Sequence, residues 1–129
     1  MAEPEWIEVG VVKTLHDRSI ALHGGLPGFR DEGLLESALD CARNRYVYEG
    51  VEDMVDLAAT YGVAVAANHP LADGNKRAAF LCVLLFLRLN GRRLTADRAD
   101  ATRIMLAVAA GALDIDQLAE WIRRNVASA

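Results

Sequence analysis

The chain has 129 residues, 53% of them hydrophobic and 25% charged, with a net charge of −4. That length and apolar content fit one domain with a sizeable core and not two, so residues 1–129 are read as a single domain. The acidic balance argues against a surface built mainly to bind nucleic acid, which usually needs a clear basic excess.

The opening Met-Ala-Glu-Pro-Glu-Trp has no basic stretch leading into an apolar one. No secretory signal is visible, and a cytoplasmic protein is expected. From Trp6 to Leu22 the apolar residues Ile7, Val11, Leu15 and Leu22 fall at mostly helical spacing with charged residues between them, which predicts an amphipathic helix. Gly24, Gly25, Pro27 and Gly28 then crowd breakers into a compact irregular loop. Asp31 is a plausible N-cap, with Glu32 in the first turn, for a helix through Leu34, Leu35, Ala38, Leu39 and Ala42 that ends near Asn44. The alternation in Tyr46-Val47-Tyr48-Glu49-Gly50 suggests a short extended segment or an irregular connection.

A helix from Asp53 to Asn68 is apolar on nearly all sides, as expected of one surrounded by others. Its small residues, among them Ala58, Ala59, Gly62 and Ala66, would let neighbours come close. A second central helix begins at Asn75, contains the uninterrupted apolar run Ala78 to Leu87, and ends at Asn90-Gly91, where glycine suits a C-terminal cap. Ten apolar residues cover only ~15 Å of helix, about half a bilayer core, so this run is read as buried and no membrane is expected as a partner. Arg92-Arg93-Leu94 forms a short link. Thr95 can cap a helix through Ile104, Met105, Leu106 and Val108 that breaks at Gly111, and Asp114 a last one containing Leu118, Trp121 and Ile122. The expected fold class is all-α, a bundle of about six helices. Cys41 and Cys82 have no partner at metal-ligand spacing and are read as small core residues.

Between the two central helices lie His69-Pro70-Leu71-Ala72-Asp73-Gly74-Asn75-Lys76-Arg77. Pro70 disfavours helical geometry at His69, and Gly74 allows unusual backbone angles just before the second helix starts. The N–H groups at a helix start point outward and are unpaired, so an anion there meets them, the positive end of the helix dipole, and here also Lys76 and Arg77. Two cations at a helix start are unfavourable without such an anion. Arginine is this chain's default cation, with only Lys13 and Lys76 as lysines, which hints that lysine is wanted at position 76.

Histidine's ordinary pKa, about 6.5, leaves a useful fraction neutral at cytoplasmic pH, so His69 can take a proton from a hydroxyl within reach. Asp73 offers an oxygen suited to Mg²⁺, which takes one or two carboxylates and otherwise substrate phosphates; it could equally cap the following helix. Asn75 is either a plain N-cap or a brace for the turn. Base, carboxylate and cationic cradle together form the kit for moving a phosphorus-centred group from a nucleotide to a hydroxyl. His16 and His23 have neither a cradle nor a metal partner at helical spacing and are read as structural or surface residues. Arg43, Arg45, Arg92 and Arg93 carry no assignment.

HPLADGNKR resembles the signature of the Fic/Doc family, His-Pro-Phe-x-Asp/Glu-Gly-Asn-Gly/Lys-Arg, and through Lys76 its Doc branch. Likeness to that branch extends through Leu15-His16-Asp17, Gly24-Gly25-Leu26-Pro27-Gly28, Ala59-Thr60-Tyr61 and Leu84-Leu85-Phe86-Leu87-Arg88. The departure is Leu71 for Phe, which keeps an apolar anchor but loses a ring. The resemblance implies an all-helical domain with the motif between two central helices, and roles for His69 in catalysis, Gly74, Asn75, Lys76 and Arg77 in nucleotide and phosphate binding, and Asp73 at a metal. Family members with glycine before the arginine move AMP from ATP to a protein side chain. The Doc branch is implied to bind ATP the other way round and to pass its γ-phosphate to a threonine of elongation factor Tu, which would make the chain a translation-halting toxin. A lysine fills the space a glycine leaves and adds a point charge that can redirect a phosphate tail.

By the same resemblance, Gly24 to Phe29 would be a flap that positions a target segment. The family's inhibitory pattern, Ser/Thr-x-x-x-Glu-Gly/Asn, is absent, since Gly28 and Arg45 stand four residues before Glu32 and Glu49. A separate antitoxin acting in trans, as in a type II toxin–antitoxin system, is therefore expected. The alternatives are an AMP transferase and a non-catalytic module that only holds a nucleotide or partner.

Overall fold

Four aspartates set most of the helix starts. Asp31, Asp53, Asp97 and Asp114 each accept backbone N–H groups from the first turn that follows, and Asp114 closes a capping box with Gln117. The computed structural model describes residues 3–129. Within them run α1 (Val9–His23), α2 (Glu32–Glu49), α3 (Met54–Asn68), α4 (Asn75–Leu89), β1 (Arg92–Leu94), α5 (Arg98–Ala109), α6 (Ile115–Arg124) and β2 (Val126–Ser128). The class is all-α, as expected, with one small antiparallel strand pair added.

Helix α3 is the centre and packs against α2, α4, α5 and α6. Its small residues do what their size allows: a Cβ at Gly62 would stand 2.8 Å from Val83 Cγ2 on α4 and 3.1 Å from Leu118 Cδ2 on α6. Its own Leu57 and, around it, Leu35, Leu87, Leu118 and Ile122 are fully buried, each worth about 1.5–3 kcal/mol relative to exposure. Helix α4 departs from the expectation of a buried run. Ala79, Cys82, Val83, Phe86 and Leu87 are buried, whereas Phe80, Leu81, Leu84 and Leu85 on its other side are only half-covered. Cys82 is buried, which pushes its thiol up to about 12, while Cys41 is half-buried.

Other boundaries also differ from the expectations. Helix α2 does not stop near Asn44 but continues through Tyr46-Val47-Tyr48 to Glu49, where Gly50 in the left-handed region caps it. The alternation there reflects a helix face: Tyr46 packs edge-on against Trp6 (5.5 Å between centroids), while Val47 and Tyr48 face solvent. Arg45 adds a bond from Nη1 to the buried Thr60 hydroxyl (2.7 Å). Helix α1 starts at Val9, since Trp6 is drawn onto Phe86 and the Ile7 N–H donates to the Tyr61 hydroxyl.

Arg92-Arg93-Leu94 is a strand, in register with Ser128, Ala127 and Val126. Thr95 does not cap α5. Its hydroxyl and N–H both donate to the Asn125 carbonyl, and Asp97 takes the cap. No helix among the described residues is long and apolar enough to cross a membrane.

Candidate active site

The turn from His69 to Gly74 is fixed at both ends by the packed pair α3 and α4. Residue 69 follows the last turn of α3 with φ 47° and ψ 55°, and it is the one non-glycine residue with positive φ among those described. That conformation costs a residue with a Cβ about 1–2 kcal/mol. The following backbone is paired with the loop before α2: Arg30 and Asp31 N–H groups donate to the Pro70 carbonyl, and Ala72 N–H to that of Gly28. An antiparallel bridge joins Phe29 to Leu71. The Arg30 guanidinium adds bonds to the carbonyls of His69 and Asn68, both 2.8 Å.

Leu71 is 1% exposed, so the apolar anchor survives the change from Phe. Asn75 grips the same residue from the start of α4: its Oδ1 accepts from Leu71 N–H (2.9 Å) and its Nδ2 donates to the Leu71 carbonyl (3.1 Å). Its side-chain amide therefore braces the turn and is not a cap. The N-cap position is Gly74, at φ 78° and without a side-chain bond, which leaves the first N–H groups of α4 open to an anion.

Asp73 does not cap α4 beyond its own neighbour. Its Oδ1 accepts from Gly74 N–H (2.8 Å) and its Oδ2 from Leu26 N–H (3.2 Å). These two bonds, Leu26 first, hold its carboxyl below the usual carboxylate range. Close approach explains one glycine of the upstream loop, since a Cβ at Gly25 would lie 2.7 Å from Asp73 Oδ2. Arg77 Nη2 donates to the Gly24 carbonyl (3.1 Å), and Lys76 is exposed at the mouth. His69, Asp73, Gly74, Asn75, Lys76 and Arg77 thus line one open cleft of about 560 Å³, with Leu106 and Ala109 of α5 on its far wall. All the residues singled out from the sequence come together there.

Of its two readings, structural or surface, His16 takes the first in the fold. It is 2% exposed, its Cε1 would lie 3.4 Å from a Cβ on Gly74, and its Nε2 is buried without a hydrogen-bond partner among the described residues. Burial lowers its pKa, with Asp17 and Asp73 pulling upward and Arg77 downward, which favours the neutral ring. A Cβ at Gly74 would meet His16 at van der Waals distance, and it is the φ of 78° that favours glycine there. Nothing in the sequence marks Arg30, and the nearness of His16 to the motif is equally hidden there, because each meets the turn only through the tertiary fold.

A family model described as Fic/DOC family matches residues 6–87. The chain is 37% identical over 115 residues to "Protein kinase doc" of Escherichia phage P1, covering 89% of this chain and 90% of that one. It is also 38% identical over 117 residues to "Toxin Doc" of Mycolicibacterium smegmatis, covering 86% and 87% respectively. With the motif turn braced between its two central helices, the chain belongs to the Fic/Doc family.

Asn75→Ala tests the brace. It leaves the Leu71 N–H unpaired in a buried position, so stability in urea should fall by about 1–3 kcal/mol. A loss no larger than that of an exposed Asn→Ala change, such as at Asn44, would show that the turn holds without it.

Proposed function

We propose that this protein is the toxin of a type II toxin–antitoxin pair and acts in the cytoplasm as a protein kinase. It passes the γ-phosphate of ATP, with Mg²⁺, to a threonine hydroxyl of elongation factor Tu and so halts translation. The observation that carries the reading is the shared cleft, in which a base, a carboxylate and two cations meet at the open start of α4. A lysine at position 76 and the likeness to a chain named "Protein kinase doc" favour phosphate over AMP transfer.

The residues fit both groups. Among the described residues no three acidic, histidine or cysteine side chains gather to hold a metal by themselves. An exposed Asp73 with spare lone pairs on both oxygens suits Mg²⁺, which draws its other ligands from phosphates and water. Mg²⁺, when bound, supplies charge neutralisation at the transferring phosphate. The N–H groups of α4, Lys76 and Arg77 bind the phosphate tail and stabilise charge as it builds on the equatorial oxygens. His69 takes the proton from the threonine hydroxyl as its oxygen bonds to the γ-phosphorus, and the bond from that phosphorus to the bridging oxygen breaks to release ADP. The loop from Gly24 to Phe29, paired to the motif at Leu71, is placed to act as the flap that presents the target segment.

The half-covered side of α4 suits the antitoxin. Phe80, Leu81 and Leu84 face a groove of about 730 Å³ that begins at Lys76 and Arg77 and is walled by Met105 and Leu106 of α5. An amphipathic helix laid there buries apolar surface and covers the cations. Mixing with the antitoxin should raise the melting temperature of the wild-type chain and not that of Leu84→Glu; an equal rise in both would move the antitoxin elsewhere.

Mass spectrometry of elongation factor Tu from a matched host, incubated with the protein, ATP and Mg²⁺, tests the transfer. A gain of ~80 Da that disappears with His69→Ala is expected. A gain of ~329 Da would make the chain an AMP transferase. No gain would remove elongation factor Tu as the target.

A further inference from the structure

Arg30 reaches from the loop before α2 to the end of α3, and its contacts fall on three successive residues. Its Nη2 donates to the Asn68 carbonyl and its Nε to that of His69, both at 2.8 Å, and its backbone N–H donates to that of Pro70 at 2.9 Å. A guanidinium presents its N–H groups as a planar fork, so bonds to two neighbouring carbonyls fix their relative orientation in a way a flexible ammonium does not. Both carbonyls lie at the end of a helix, where partners within the helix run out and a cation meets the negative end of the dipole.

The residue held in this way is the one whose backbone is least favourable. His69 combines a left-handed φ of 47° with a proline at the next position, and each of these narrows what a residue with a Cβ can adopt without help. Strained conformations persist only where the surroundings over-determine them. The Asn68 side chain anchors the end of α3 to the Leu34 carbonyl (3.1 Å), the backbone from Pro70 onward is held by the loop before α2 and by Asn75, and between these the two peptide groups flanking the His69 Cα are held by the Arg30 guanidinium. With His69 exposed in the cleft and its neighbour Pro70 buried, the backbone angles at 69 decide where the imidazole points.

We infer that Arg30 is a positioning residue for His69, holding the strained peptide groups on either side of it so that the imidazole faces the cleft shared with Asp73 and Lys76. The inference rests on the reading of His69 as the base. Arg30 itself is exposed, so water can reach the carbonyls it leaves and its loss disturbs geometry more than folding.

The test compares wild type, Arg30→Ala and Arg30→Lys by kcat and KM for ATP in the transfer assay, by melting temperature, and by the backbone ¹³C shifts of His69. Arg30→Ala should lower kcat by about tenfold to a hundredfold, with KM within about twofold. Its melting temperature should stay close to wild type while the His69 shifts leave left-handed values, and Arg30→Lys should recover only part of the rate. A kcat within about twofold of wild type, unchanged His69 shifts, or full rescue by lysine would overturn the inference. Should wild type transfer nothing to any acceptor, the reading of His69 as the base fails, and the His69 shifts in Arg30→Ala still decide whether Arg30 sets that backbone.

Discussion

The packing of α3 against α4 is the constraint on which everything else depends. Gly62 lets the two helices close to contact distance, with Val83 and Leu118 filling the space a side chain would need. Once that pair is set, the residues between Asn68 and Asn75 must reverse the chain within a short span. A left-handed His69, a buried Leu71 and a left-handed Gly74 are how they do it. The reversal leaves α4 with an uncapped start, and the charged side chains of the turn collect around it. The chemistry of the cleft is thus a consequence of where two apolar helices meet.

A second layer converts that turn from a connection into a rigid site. The loop before α2 is laid along it by backbone bonds and by the Phe29–Leu71 bridge, and Lys13 holds the loop from behind, paired with Glu32 at 3.0 Å and lying 5.3 Å above the Phe29 ring. The carboxylate of Asp73, the guanidinium of Arg77 and the fork of Arg30 each bond to backbone across this seam. Preorganisation of this kind matters for phosphoryl transfer, where the protein contributes mostly by position and charge. The side of α4 left half-covered lies next to the cations, which line both the groove along it and the cleft.

Much of this was legible in the sequence because its signals are local. An apolar run with small residues marked α3, another marked α4, and the breakers Pro70 and Gly74 placed the turn between them with all its charged residues. The cap aspartates at 31 and 114 were equally direct. What escaped depends on residues far apart in the chain. Tyr46 belongs to a helix because Trp6 comes back to meet it, and Arg92 to Leu94 form a strand because the last residues of the chain return alongside. At α5 the sequence pointed to Thr95 as the cap, but the Asn125 carbonyl takes its hydroxyl and Asp97 caps the helix instead. Arg30 belongs to no motif, and only the fold shows that it and His16 stand against the turn.

In the proposed mechanism the cleft holds a nucleotide through its cations and helix start, and His69 acts on the hydroxyl and not on the nucleotide. Calorimetric titration of Mg²⁺-ATP into wild type, His69→Ala and Lys76→Ala, set beside the transfer rate of each, tests this most directly. His69→Ala should bind ATP as wild type does but transfer at least about a hundredfold more slowly, the scale of general-base assistance, while Lys76→Ala should lose affinity. Wild-type transfer by His69→Ala, or ATP affinity untouched by Lys76→Ala, would contradict it.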